Sequence, residues 1–321
     1  MSVTALEAKF DTVALMFPGQ GSQFAGMGMD ILRESASARA LIGRADRVLG
    51  YPLSRVMAGE HGDELNRTVH TQPAVFVHSM ALFDLLREHC PFSAVVAAGH
   101  SLGEYSALCA GGVLDFEEAL DIVRTRAQAM DEAQPAGTCA MAALIGITKE
   151  ETLRIVDDCR EDQILEAANF NAPDQVVVSG HMEAVHRVIE AVKGQKRTRA
   201  VMLPVSSAFH TSLMASARET LSERLERATL RTAAFPVLSN VTAQVYPSSV
   251  PEAKRLLMEQ VVRPVLWEDC VRTMIQSGAE VFLEIGPGKV LAGLLKRIDR
   301  TAHTISISDL ECIRSLGGAG S

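Results

Sequence analysis

Residues Gly99-His100-Ser101-Leu102-Gly103 bring together the residue types and spacing of a nucleophile. An apolar run, Val95-Val96-Ala97-Ala98, stops at this pentapeptide, and a helix-forming run from Glu104 to Leu108 follows at once. Gly-x-Ser-x-Gly between a strand and a helix is the pattern of a nucleophile elbow, in which the serine sits on a tight turn with its hydroxyl held out above the strand ends. An ordinary βα turn whose serine only caps the helix reads the same over five residues, so the partner groups must decide. A serine hydroxyl is protonated at neutral pH and needs a neutral imidazole to accept its proton during attack. Of nine histidines, His61, His70, His78, His89, His181, His186 and His303 fall in helices or polar loops. His100 adjoins the serine, and its side chain is expected to point to the other side of the strand end. His210, in Val205-Ser206-Ser207-Ala208-Phe209-His210-Thr211, lies between a strand-like segment and a helix and is the candidate base.

The glycine-rich stretch from Phe17 to Asp30 invites a phosphate-loop reading, which the spacing refutes. Gly21 and Gly26 are placed as in such a loop, but Met27 and Gly28 stand where Lys and Ser/Thr are required. A dinucleotide fingerprint lacks its third glycine. What remains is a loop at a strand end with exposed backbone N–H groups, able to supply an oxyanion donor. The order serine then histidine also suits a triad hydrolase. No acid stands out between them at the end of a clear strand, and an HGGG-type segment is absent, which counts against a triad.

These groups need a scaffold. Buried strands are expected at 13–17, 95–98, 236–239 and 281–285, and helices at 72–89, 116–130, 211–228, 251–262, 266–277 and 290–297. Strands alternating with helices point to a parallel sheet covered on both faces. Between about 137 and 206 the rhythm changes to β-α-β-β-α-β, the ferredoxin-like order. The expected fold is α/β: a large α/β-hydrolase-like domain with a parallel sheet (1–136 and 207–310) and an inserted small ferredoxin-like α+β domain (137–206). The glycine-rich end, 311–321, is expected to be a disordered tail. A chain of 321 residues, 47% hydrophobic, can bury such a core. Six scattered cysteines form no Cys-x-x-Cys pair, and no apolar stretch is long enough for a membrane span or a signal core. A cytoplasmic protein without membrane association is expected. The net charge of −8 argues against nucleic acid as a partner.

Taken together, the motifs resemble the malonyl-CoA:acyl-carrier-protein transacylases, including the acyltransferase domains of polyketide synthases. The matching pieces run in register: Gly19-Gln20-Gly21-Ser22-Gln23, Thr71-Gln72-Pro73-Ala74, the elbow with Glu104, and Arg126 with Met130. They continue through Asn169-Phe170-Asn171, Ala208-Phe209-His210, Ser239-Asn240-Val241, Gln260 with Pro264 and Trp267, and Glu284–Lys289. The resemblance implies Ser101 as the nucleophile and His210 as base and then acid, oriented by backbone carbonyls, with Gln260 near the site. It implies backbone N–H groups of Gln20 and Leu102 as the oxyanion hole, and Asn169 as a supporting residue. Arg126 would bind a malonyl carboxylate through a bidentate contact; without the resemblance it reads as a solvated charge on the exposed side of a helix. Leu102 and Phe209 match malonyl-selective members, the bulky Phe209 leaving little space for a 2-methyl branch. Ala127 stands where the family often has glycine.

The implied reaction is ping-pong transfer of a malonyl group from malonyl-CoA to the phosphopantetheine thiol of an acyl carrier protein, by a monomer without cofactor or metal. It would serve fatty-acid synthesis or, alternatively, a polyketide synthase as a stand-alone acyltransferase. A serine esterase or thioesterase and a non-catalytic docking module are the readings from other classes. Carrier proteins of such systems are generally acidic, and Lys193, Lys196, Arg197 and Arg199 form a local basic run in an acidic chain. That run is a candidate docking patch or a plain solvated loop.

Overall fold

The computed structural model describes residues 12–195, 197–205 and 207–317. The chain begins with β1 (Val13–Phe17), followed by three short helices, α1 (Met29–Glu34), α2 (Ala36–Leu49) and α3 (Leu53–Ala58). The long α4 (Thr68–His89), β2 (Ala94–Gly99), α5 (Gly103–Ala110) and α6 (Phe116–Glu132) come next. A second group follows: β3 (Cys139–Ile145), α7 (Lys149–Arg160), β4 (Leu165–Ala172), β5 (Gln175–His181), α8 (Met182–Val192) and β6 (Arg199–Met202). The chain closes with α9 (Ala215–Glu226), α10 (Val250–Gln260), α11 (Trp267–Gln276), β7 (Val281–Ile285), α12 (Val290–Ile298), β8 (His303–Ile307) and α13 (Leu310–Gly317).

β1 is apolar at every position and buried throughout, as a strand covered on both faces must be. Its odd residues Val13, Leu15 and Phe17 join Leu283 and Ile285 in a core with α4, α5 and α6. Its even residues Ala14 and Met16 join Val96, Ala98 and Phe282 beneath α11 and α12. The two-residue alternation of a strand thus serves two separate hydrophobic layers. The order in this sheet is β2-β1-β7-β8, all parallel. The second sheet has the order β4-β5-β3-β6, all antiparallel, with α7 and α8 packed on one side. The α/β class with a parallel sheet and a ferredoxin-like second sheet agrees with the expectation.

Several local expectations need correction. Residues 311–317 are not a disordered tail: they form most of α13, whose Leu310 and Ile313 are buried in the main core. Residues 318–321 lie outside the described residues. The expected strand at 236–239 is reduced to bridges, Val237 with Ala97 and Leu238 with Val245. Pro236 has no N–H to continue a ladder, yet its carbonyl accepts from Ala97 and the Leu238 N–H donates back to the Ala97 carbonyl. The segment therefore still lies along the edge of β2. Helix 211–228 opens as a 3-10 turn (Ser212–Met214) before α9. The strand β8 and the helices α1 to α3 had no counterpart in the expected element list.

The two sheets are joined beside the cleft by hydrogen bonds. Val265 donates to the Ala168 carbonyl and receives from the Phe170 N–H, both at 2.9 Å, so a segment of the large part pairs with the edge of β4. Glu166 on β4 accepts from the Ser212 N–H at 3.2 Å and from its hydroxyl at 2.5 Å.

Candidate active site

Ser101 stands on the turn between β2 and α5 with φ 51°, in the left-handed region that non-glycine residues avoid. The flanking glycines are there because the backbone leaves no room. A Cβ on Gly99 would lie 1.9 Å from the Gly103 backbone, and one on Gly103 would lie 2.0 Å from the Phe17 carbonyl oxygen. The following loop of β1 presses on the same turn, since a Cβ on Gly19 would come within 2.5 Å of the His100 carbonyl oxygen. Asn240 fixes the turn from a third side: its Oδ1 accepts from the Ser101 N–H and its Nδ2 donates to the Gly99 carbonyl, each at 2.7 Å.

His210 reaches the serine from the loop after β6, and it too has a positive φ, 60°. Its Nε2 lies 2.7 Å from Ser101 Oγ, and its Nδ1 lies 2.8 Å from the Gln260 carbonyl oxygen. A carbonyl only accepts, so Nδ1 carries the proton and Nε2 offers a lone pair to the serine hydroxyl. Burial, reinforced by the Arg126 charge, pulls the imidazole down to about 3, which keeps it neutral in the pH range of a general base. Among the described residues no carboxylate holds this histidine; it is oriented by a backbone carbonyl.

Arg126 is 1% exposed. The expectation of a solvated charge fails because Arg126 lies on the buried stripe of α6 with Ala119, Val123 and Met130. That helical spacing was itself readable in the sequence. Its Nη1 donates to Gln72 Oε1 at 2.7 Å, and its Nη2 to Gln260 Oε1 at 2.9 Å and to Ser101 Oγ at 3.0 Å. Gln260, at the end of α10, also donates from Nε2 to the Ser101 carbonyl at 2.8 Å and to Glu104 Oε2 at 2.6 Å. Glu104 is fully buried, and burial raises its carboxyl to about 7 against hydrogen bonds from Tyr246, Gln260 and the Asn240 N–H.

A cavity of about 260 Å³ opens onto Ser101, His210 and Arg126. Gln20, Leu102, Phe209 and Asn169 all line it. Among the described residues the backbone N–H groups of Gln20 and Leu102 donate to no protein acceptor, as donors kept for a ligand oxygen would. Gln260 stands behind the cavity wall and is fully buried. His100 departs from expectation: it lines the cavity, with Nε2 2.8 Å from Asn171 Oδ1 and its ring against Trp267. Sequence reasoning quoted Gln72, Glu104 and Asn240 only as parts of motifs and did not place Tyr246. A buried glutamate looks like a surface one in a sequence, and only its place directly after the elbow marked it.

The model of the acyl transferase domain family matches residues 14–316. Malonyl CoA-acyl carrier protein transacylase of Bacillus subtilis (strain 168) is 40% identical over 94% of this chain and 95% of its own length. The protein of that name from Escherichia coli (strain K12) is 38% identical over 92% and 96%. Among solved structures, the transacylase of Coxiella burnetii superposes with a TM-score of 0.93 at 34% identity, covering 97% of this chain and 98% of that one. A malonyl-transacylase in complex with its type II polyketide synthase acyl-carrier protein gives a TM-score of 0.92 at 37% identity, over 96% and 99%. Matches of this length and identity make the chain a member of the malonyl-CoA:acyl-carrier-protein transacylase family.

Proposed function

We propose that this protein transfers a malonyl group from malonyl-CoA to the phosphopantetheine thiol of an acyl carrier protein through a malonyl ester on Ser101, for fatty-acid synthesis. The observation that carries the reading is the Ser101 hydroxyl, placed 2.7 Å from the His210 lone pair and 3.0 Å from the guanidinium of a buried arginine. His210 takes the hydroxyl proton as Ser101 attacks the thioester carbon, then passes it to the departing CoA sulfur. In the second half-reaction it takes the proton of the carrier thiol and returns it to Ser101 Oγ. The N–H groups of Gln20 and Leu102 face the oxygen that becomes negative. Arg126 receives the malonyl carboxylate, Phe209 narrows the space beside the acyl group, and Asn169 and Gln260 support the site. Malonyl-CoA and the carrier protein are substrates, and the chemistry asks for no cofactor or metal. Residues 137–206 form the small domain of this division and 1–136 and 207–310 the large one, which α13 extends to residue 317. We assign the protein as a cytoplasmic monomer; among the described residues no helix is long and apolar enough to cross a membrane.

Incubation with malonyl-CoA should add one malonyl mass to the peptide that contains Ser101, and the adduct should pass to holo carrier protein. Ser101→Ala should remain folded and unlabelled. Full transfer by Ser101→Ala would overturn the assignment. A second reading, service to a polyketide synthase, is favoured by the likeness to the transacylase solved with a polyketide carrier protein. Complementation of a strain lacking its fatty-acid malonyl transacylase separates the two.

A further inference from the structure

Arg126 is a buried cation whose hydrogen-bond partners are all neutral. They are the side-chain oxygens of Gln72, Gln260 and Ser101. Its Nε is buried and has no acceptor among the described residues. The acidic side chain behind it, Glu104, meets the same Gln260 amide from the other side. Ser101 Oγ is therefore shared between this guanidinium and His210 Nε2.

That sharing sets a difficulty for the chemical step. When Ser101 gives its proton to His210, the imidazole becomes a second cation beside the first, in a site where both side chains are almost wholly shielded from water. Like charges in such surroundings repel strongly. The other ionisable groups around His210 do not relieve this. His100 adds a weak repulsion of the same sign, Glu104 is reached only through Gln260, and Glu166 is engaged with Ser212 two residues further on.

We propose that the carboxylate of the acyl donor, on pairing with Arg126, also frees His210 to take the Ser101 proton, so that the donor's charge governs the chemical step as well as binding. The inference rests on the malonyl-CoA reading given above. A carboxylate gives the guanidinium a directly paired counter-charge, where Glu104, held off by the Gln260 amide, acts on it only at a distance. The bonds made and broken are the same for a neutral acyl group: Oγ–C forms, C–S breaks, and the proton travels from Oγ through Nε2 to sulfur. A neutral donor, however, requires the imidazolium to form beside an uncompensated arginine. The depression of His210, to which burial contributes first and Arg126 second, agrees with this picture. Specificity would then be exerted twice by one residue, once in binding and once in the readiness of the base.

The test is rapid-quench formation of acyl-Ser101 by the wild-type protein at saturating donor. Malonyl-CoA is compared with malonamyl-CoA, its neutral amide isostere, from about pH 5 to 8.5, above the range in which the donor's own carboxyl titrates. With malonyl-CoA the plateau rate constant should be about tenfold higher or more than with malonamyl-CoA. In Arg126→Gln that ratio should shrink toward one. Equal plateau rate constants in the wild-type protein, with the donors differing only in KM, would overturn the proposal and leave Arg126 as a binding group alone. The wild-type comparison decides even if Arg126→Gln does not fold. Absence of any malonyl label on Ser101 is a different result, which overturns the underlying reading itself.

Discussion

Gln260 touches the base, the buried arginine and the backbone of the nucleophile. Its carbonyl holds His210 Nδ1, its amide oxygen holds Arg126, and its amide nitrogen holds both the Ser101 carbonyl and Glu104. A neutral amide can do this because it donates and accepts at once, where a carboxylate in its place would face Glu104 with like charge. Arg126 is anchored by this amide and by Gln72, so its fork is already oriented before a substrate arrives. Losing one partner of a buried charge-assisted pair costs about 2–5 kcal/mol. Arg126→Ala is therefore expected to lower malonyl transfer by about thirty-fold to several thousand-fold, while acetyl transfer holds or rises. Parallel assays with the two donors check this, and an equal fall for both would make Arg126 a structural residue.

The helix α4 shows what an element contributes beyond the residues that face the cavity. It carries Gln72 near its start and, further along, the fully buried His78, whose two ring nitrogens have no partner among the described residues. Burial pulls that imidazole down to about 4. Below about pH 6.5 the unfolded chain binds a proton that the folded helix refuses, so stability is lost as the pH falls from 6.5 toward 4. The loss from His78 is on the order of 3 kcal/mol. His78→Leu is expected to show a correspondingly shallower fall than the wild-type protein in urea unfolding between pH 7.5 and 4.5; parallel curves would clear His78 of the effect. Much of the element plan was legible because burial writes itself as apolar runs and helical stripes, as in β1 and α6. The strand β8 escaped because it runs His303-Thr304-Ile305-Ser306-Ile307, with its polar residues at exposed or partly covered positions. Ser101 and His210 were legible from glycine spacing and from the chemistry a serine requires. Glu104 and Gln260 meet across 156 residues of sequence, a separation at which no local pattern operates.

At the scale of the whole molecule, a protein of net charge −8 is expected to receive an acidic carrier protein. Such docking needs a local exception to the overall repulsion. The run from Lys193 to Arg199 is a candidate. Lys193 is occupied by Glu190 at 3.0 Å, Arg197 and Arg199 are described, and Lys196 lies outside the described residues. Charge reversal at Lys196 and Arg197 is expected to raise the KM for carrier protein and flatten its salt dependence, with acylation by malonyl-CoA unchanged. An unchanged KM at low salt would return the run to plain surface. The left-handed backbone at both Ser101 and His210 has a consequence for the lineage of this protein. A side chain there costs roughly 1–2 kcal/mol that glycine does not incur. Ser101→Gly should thus melt above Ser101→Ala, both being inactive, and calorimetry of the pair measures what the nucleophile takes from the fold. Wherever a descendant of this chain is released from selection for catalysis, glycine at position 101 would relieve this strain, whereas glycine in place of the buried His210 would leave a cavity. A silent relative would then be recognisable by a sturdier fold around a missing serine.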